Sequence, residues 1–299
     1  MMAPAPPETT RFAPSPSGRL HLGHALAAAT ARRLARAGGG RFLLRIEDID
    51  AARCRPEFDA GILEDLAWLG LSWDGPVLRQ STRLDAYRAA LAELGARGLG
   101  YPCFCTRAEI VAELAAMSAA PQGPEGPVYP GSCRALSPAE RERRIAAGEP
   151  HAWRLDVAAC VAALGGHPLG FEETGRGPAG ETGQQEVLPL LSGDVVLGRK
   201  DLGVSYHLAL VMDDHLQGVT LVTRGEDLFA ATHIQRLLQA VLGLGVPRYH
   251  HHRLVRDANG RRLAKRDRDR EIAALRAAGL APGDVLALAG AGGLAAVDS

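Results

Sequence analysis

The sequence predicts an α/β protein built on a parallel sheet, and three observations carry that reading. Residues 10–13 form a short apolar strand, and the alanine-rich run over 24–37 reads as the helix that follows it. Residues 41–47, Arg-Phe-Leu-Leu-Arg-Ile-Glu, then read as a second strand. Two amphipathic helices follow over 56–69 and 83–96, with Ser81 as the expected cap of the latter. The alternation resumes near Asp194: 206–212 is apolar, 219–223 is a strand and 229–242 a helix. A further strand over 249–255 leads to an Asn259-Gly260 turn. Strand–helix–strand with a helical return is the parallel α/β pattern.

Between these halves the pattern changes. Residues 121–131 and 165–183 are rich in Pro and Gly and read as irregular loops. The expected organisation is therefore a disordered start over 1–9, a first catalytic half over 10–99 and an inserted, partly helical α+β subdomain over 100–195. The second half is expected over 196–267 and a short helical tail over 268–299.

The 299 residues suit one large or two modest domains, and 46% hydrophobic with 23% charged residues is ordinary for a globular chain. No apolar stretch approaches a membrane span, and the start Met-Met-Ala-Pro-Ala-Pro-Pro lacks a signal-peptide core. Five cysteines without a disulfide framework agree with a reducing compartment. A cytoplasmic monomer with no membrane partner is expected. Formal net charge is zero, so a nucleic-acid partner would need a local basic face. Lys200 and Lys265 are the only lysines in an arginine-dominated chain, which singles out their compact ammonium groups.

The richest stretch is Pro14-Ser-Pro-Ser-Gly-Arg-Leu-His-Leu-Gly-His24. It places His21 and His24 where a strand hands over to a helix N-terminus, a place suited to phosphate. Gly23, lacking a side chain, lets a flat base or ribose approach the backbone. Ligands in parallel α/β folds collect at the carboxyl ends of strands. Arg11 to Ser15, Glu47-Asp48 and Arg224-Gly-Glu-Asp227 are expected at such ends, and Tyr206 is expected beside them. Two arginines and one glutamate suit an amino acid with two carboxylates, each held by a forked guanidinium pair.

The His21 to His24 run resembles the His-x-Gly-His signature of class I aminoacyl-tRNA synthetases. The preceding Arg11-Phe12-Ala13-Pro14-Ser15-Pro-Ser-Gly is similar to their glutamyl/glutaminyl branch. Gly203-Val-Ser-Tyr-His-Leu-Ala-Leu-Val-Met-Asp-Asp214 and Val222-Thr-Arg-Gly-Glu-Asp-Leu228 resemble segments of the same branch, and Gln80-Ser-Thr-Arg83 with Tyr87 fits it. Arg262-Leu-Ala-Lys-Arg266 resembles the second class I signature, with Arg262 for its first lysine and Ala264 for its serine.

The resemblance implies a Rossmann-type catalytic sheet. It implies ATP, with Mg²⁺, held by His21, Gly23, His24 and Lys265, of which His21, His24 and Lys265 are the catalytic charges. L-glutamate is implied against Arg11, Phe12, Ala13, Pro14, Ser15, Glu47, Tyr206 and Arg224. The order Cys103-x-Cys105…Tyr129-x-x-x-Cys133 resembles the zinc element of the glutamyl-Q tRNA(Asp) synthetases, implying one structural Zn²⁺. Cys54 and Cys160 read as packing residues, and His250-His251-His252 as structural or surface residues. The chain stops short of an anticodon-binding domain, which points within the branch to that same family. Its members activate glutamate without tRNA and place it on queuosine in the tRNA(Asp) anticodon. The alternatives are a truncated synthetase charging the 3′ end of tRNA, and a small-molecule nucleotidylyltransferase.

Overall fold

A computed structural model describes residues 7–117, 122–124, 126–200, 203–256 and 271–290. Lys265 and the rest of the 262–266 signature lie outside the described residues, as does the Asn259-Gly260 turn.

The chain opens as read from its periodicity. Strand β1 (Thr9–Phe12) leads to helix α1 (Leu22–Ala37), strand β2 (Arg41–Ile46), helix α2 (Pro56–Trp68) and the two-residue strand β3 (Leu78–Arg79). β1 pairs in parallel with β2, and β2 with β3. Small side chains let α1 lie close on this sheet: Ala28, Ala31 and Ala35 are wholly buried, and Thr10 donates its hydroxyl to the Ala31 carbonyl at 2.8 Å.

Helix α3 (Leu84–Ala96) begins later than expected, and Ser81 does not cap it. Ser81 lies instead in a 3₁₀ turn and donates both its N–H and its hydroxyl to Asp48, at 2.8 and 2.6 Å. That hydroxyl is committed to Asp48, and Arg83 occupies the N-cap position.

The middle of the chain contains strand β4 (Gly100–Cys103), helix α4 (Arg107–Ala116) and the short antiparallel pair β5 (Gln122–Gly123) and β6 (Gly126–Pro127). Helix α5 (Pro138–Ala146), strand β7 (Ala152–Leu155) and helix α6 (Val157–Ala163) follow. Strand β8 (Gly170–Glu173) comes next, within the 165–183 stretch read as irregular loop, and strand β9 (Gly183–Glu186) starts at the last residue of that stretch. β9 pairs with the nearby β8, whereas the other pairing of β8, invisible to local composition, is long-range. β8 lies parallel to a strand 76 positions on, joining Glu173 to Tyr249.

The last described elements are strand β10 (Val196–Gly198), helix α7 (Tyr206–Leu216), strand β11 (Leu221–Gly225) and helix α8 (Ala231–Val241). Strand β12 (Arg248–His252) and helices α9 (Ile272–Ala277) and α10 (Pro282–Leu288) complete them. β11, β12 and β8 run parallel, with β9 antiparallel at the edge. A separate antiparallel sheet orders β10-β7-β4.

The two halves of the parallel sheet meet where β1 lies beside β11. Thr220 donates its backbone N–H to the Thr9 carbonyl at 2.9 Å, and Thr9 returns its own N–H to the Thr220 hydroxyl at 2.9 Å. One apolar core packs α1, α2, α9 and α10 on β1 and β2, through Phe42, Leu44, Leu66 and Ile272. A second joins α3, α7 and α8 to β7 and β10, through Tyr87, Leu155, Leu197 and Leu237. No helix among the described residues is long and apolar enough to cross a membrane.

Candidate active site

The carboxyl ends of β1, β2 and β11 and the N-termini of α1 and α7 open on one cavity of about 620 Å³. Arg11, Phe12, Ala13, Pro14, Ser15, His21, Gly23, His24, Glu47, Tyr206 and Arg224 all line it. Every one of these residues was named from the sequence. Tyr206 differs in its placement, since it is the first residue of α7 rather than a neighbour of a strand end.

The histidine turn is built by mutual capping. His21 is the N-cap of α1, and its Nδ1 accepts the Gly23 N–H at 3.1 Å. His24 Nδ1 accepts the His21 N–H at 3.1 Å in return. Two of the helix's unpaired donors are thereby satisfied. Each Nδ1 is an acceptor, so each neutral ring carries its proton on Nε2. The rings lie 3.9 Å apart between centroids. From behind, Ile272 donates its N–H to the Leu20 carbonyl at 2.9 Å, and Glu271 bridges to His21 as a short antiparallel pair.

Gly23 is needed here for space. A Cβ at this position would stand 2.9 Å from His21 Cε1. Gly23→Ala is expected to push the His21 ring off its Nδ1 hydrogen bond. The expected cost is about 10- to 100-fold in kcat/KM for ATP, measured by pyrophosphate exchange.

The arginine side of the cavity is a buried network. Arg11 donates from Nε to Asp214 at 2.9 Å and from Nη1 to the Thr223 carbonyl at 3.1 Å. Arg45, fully buried, donates to Asp214 at 2.7 Å, Gln217 at 3.1 Å and Glu47 at 3.3 Å. Burial alone would raise the Asp214 pKa, but the fields and hydrogen bonds of Arg11 and Arg45 pull it below the usual carboxylate range. Burial keeps the Glu47 pKa raised, against the opposing pull of Arg45 and Arg11.

The neighbouring Asp213 serves the other direction. Gln80 and Tyr87 donate to one of its oxygens at 2.8 and 2.6 Å, and Arg83 to the other at 2.6 Å. The Asp213-Asp214 pair thus ties α7 to α3 on one side and to β1 and β2 on the other.

Arg224 is gripped on three sides. It donates from Nε to His251 Nε2 at 3.0 Å, from Nη1 to Gln235 at 2.6 Å and from Nη2 to the Thr232 hydroxyl at 2.6 Å. The histidine triplet, expected to be structural or superficial, therefore contributes to the site. His251 is 1% exposed and holds Arg224, while His252 lines the cavity. Arg45, Asp214, Glu173 and His251 were missed as site residues. Arg45 carried a signal, since it is a charge inside an otherwise apolar strand.

A second cluster lies beyond β4. The Sγ atoms of Cys103, Cys105 and Cys133 lie within 4.8 Å of one another, and none of these cysteines is in a disulfide. The Tyr129 hydroxyl stands 3.4 Å from Cys103 Sγ and 3.5 Å from Cys105 Sγ, and it accepts the Cys133 N–H at 2.9 Å. Arg154 covers the Tyr129 ring at 3.7 Å. Lys200 donates to the carbonyl of Phe104, between the first two cysteines, at 2.8 Å. Three thiols and a phenol converging from two segments are a donor set for a metal ion.

The description "tRNA synthetases class I (E and Q), catalytic domain" is that of the family whose profile matches residues 8–290. Over 288 residues the chain is 55% identical to the glutamyl-Q tRNA(Asp) synthetase of Rhodobacter capsulatus, covering 94% of this chain and 99% of that one. The chain belongs to this family of class I synthetases. It is also 45% identical over 287 residues to the glutamyl-Q tRNA(Asp) synthetase of Symbiobacterium thermophilum, covering 92% of this chain and 83% of that one. Among solved structures, a glutamate tRNA ligase from Elizabethkingia meningosepticum superposes with a TM-score of 0.71 at 28% identity, and its crystal holds its amino acid. That match covers 88% of this chain and 53% of the other, so the chain spans about half its length. The α/β class I synthetase fold, with β1, β2 and β3 in its parallel core, is therefore the fold of this family member.

Proposed function

We propose that this chain activates L-glutamate with ATP in the absence of tRNA and transfers the glutamyl group to the queuosine base in the anticodon of tRNA(Asp). The observation that carries this reading is the shared cavity. The histidine turn at a helix N-terminus lines it together with two buried arginines on the adjacent strands β1 and β11 and Glu47 at the end of β2, the other neighbour of β1. A nucleotide and an acidic amino acid bound there would touch each other.

In the first step a glutamate α-carboxylate oxygen attacks the α-phosphorus of ATP, which enters as its Mg²⁺ complex. The bond to the bridging oxygen breaks and pyrophosphate leaves. Arg11 and Arg224 hold the two carboxylates and Glu47 the ammonium, with Phe12, Ala13, Pro14, Ser15 and Tyr206 shaping the amino-acid wall. The Nε2–H groups of His21 and His24 donate to phosphate oxygens as charge builds, and Gly23 admits the adenosine. Such preorganised donors act without forming covalent bonds. Lys265 supplies a further positive charge to the leaving phosphates. In the second step a hydroxyl of the queuosine ring attacks the glutamyl carbonyl, the acyl–phosphate bond breaks, and AMP leaves with the hydroxyl proton released to solvent.

Purified tRNA(Asp) with and without queuosine provides the test. Glutamate transfer is expected only to the queuosine-containing form, after tRNA-independent glutamate-dependent pyrophosphate exchange. Transfer to the 3′ end of tRNA(Glu) instead would establish the truncated-synthetase alternative. Exchange that does not respond to glutamate would favour a small-molecule nucleotidylyltransferase.

Zinc is the metal assigned to the cysteine cluster, with Cys103, Cys105, Tyr129 and Cys133 as ligands. When bound, it would fasten the 129–133 segment to the end of β4. Cys105→Ser is expected to lower metal content from about one zinc per chain to near zero and to loosen this segment, read by elemental analysis and limited proteolysis.

A further inference from the structure

Arg224 is held by a relay that crosses three adjacent strands. Its Nε donates to His251 Nε2 at 3.0 Å, across the register pair that joins β11 to β12. A guanidinium can only donate, so His251 Nε2 must be the unprotonated nitrogen. The ring proton therefore sits on Nδ1, which faces Glu173 Oε2 on β8 at hydrogen-bond distance. The other Glu173 oxygen is committed as well: Oε1 accepts the His251 N–H at 3.0 Å and the Gly175 N–H at 2.7 Å. Glu173 and His251 are each 1% exposed, and Arg224 is 5% exposed. Water therefore has little part in setting these proton positions.

We propose that Glu173 and His251 are positioning residues for amino-acid recognition: Glu173 selects the His251 tautomer, and that tautomer fixes the plane of the Arg224 guanidinium. Both ionisation states support the arrangement. Burial holds His251 below its usual range and hence neutral. Burial also opposes the charge on Glu173, but the hydrogen bonds from His251 and Gly175 keep its carboxyl below the usual range.

Three of Arg224's five N–H donors are used by His251, Gln235 and Thr232. The remaining two lie one on each terminal nitrogen, where a carboxylate that takes both would be held by a fork. If His251 carried its proton on Nε2, donor would meet donor at Arg224 Nε. The guanidinium would turn, and the fork would leave the cavity.

This inference rests on the proposed binding of glutamate at Arg224. Glu173→Gln tests it almost without changing shape. The new amide oxygen must meet the two backbone N–H groups, because an NH₂ there would face two donors. Its NH₂ then points at His251 Nδ1 and forces the proton onto Nε2.

In glutamate-dependent pyrophosphate exchange, E173Q is expected to raise KM for glutamate by at least about tenfold while KM for ATP moves less than about twofold. Nitrogen NMR of the histidine rings is expected to show His251 protonated at Nδ1 in the wild type and at Nε2 in E173Q. A glutamate KM within about twofold of wild type, or an unchanged tautomer, overturns the proposal. A merely structural role would shift both substrates together. If the wild-type chain shows no glutamate-dependent exchange, the functional reading fails. The tautomer measurement then decides the relay by itself, supporting it if the proton moves and refuting it if it does not.

Discussion

Arg224→Gln is expected to raise KM for glutamate in pyrophosphate exchange by about 10²- to 10³-fold. Removing one member of a buried, hydrogen-bonded charge pair typically costs about 2–5 kcal/mol, and each 1.4 kcal/mol is a factor of ten. The loss has two parts here. The substrate carboxylate loses its cationic partner, and three buried acceptors, on His251, Gln235 and Thr232, lose the donor that satisfies them. Arg224→Lys keeps the charge but cannot reach three acceptors and a carboxylate at once, so it is expected to fall between wild type and Gln. The histidine turn lies elsewhere on the cavity wall, and KM for ATP is expected to stay within about threefold. Initial-rate exchange assays at varied glutamate and ATP provide the check. A rise of less than about threefold for glutamate would remove Arg224 from its recognition.

Asp214→Asn is expected to be the most damaging single change to stability, at about 3–5 kcal/mol near neutral pH. Asp214 lies between two buried guanidinium groups, with Arg11 Nε at 2.9 Å and Arg45 Nη1 at 2.7 Å. An amide in its place leaves Arg11 without its ion-pair partner and Arg45 with Glu47 alone. The effect has a defined pH course. The folded Asp214 pKa is depressed below the ordinary aspartate range, so its stabilisation is complete above the unfolded pKa and fades as the folded carboxylate takes up its proton. The gap between wild type and D214N should therefore stay constant from about pH 8 to pH 5 and narrow below about pH 4. Urea unfolding across that range measures it. A constant gap down to pH 2 would mean that Asp214 acts through shape rather than charge.

Most of the cavity wall was legible in the sequence because its residues come in short runs whose order alone carries the chemistry. Arg11 to Ser15 and His21 to His24 each act within one turn of chain, and local geometry such as the reciprocal histidine cap follows from spacing. The supporting residues were not legible for the opposite reason. Asp214 meets Arg11 across 203 positions, and Glu173 meets His251 across 78. Nothing near Glu173 marks it as a strand residue, since glycines lie on both sides of it and its partners are Gly183 on β9 and the distant Tyr249 on β12. Alternation along a strand did anticipate that the three neighbouring histidines would separate, and His251 is the buried one. Burial alone did not say what it would hold. Ser81 is not the cap: its hydroxyl is committed to Asp48, a distant carboxylate, and Arg83 occupies the N-cap position.

The seam between β1 and β11 has a consequence for how the molecule is made. A ribosome adding about 5–20 residues per second delivers Asp214 some 10–40 seconds after Arg11. Until then Arg11 carries a cation destined for the interior without its partner, and Arg45 has Glu47 alone. The amino-acid wall is thus among the last parts of the sheet to close during synthesis, and a nascent chain halted before α7 would be expected to need a chaperone.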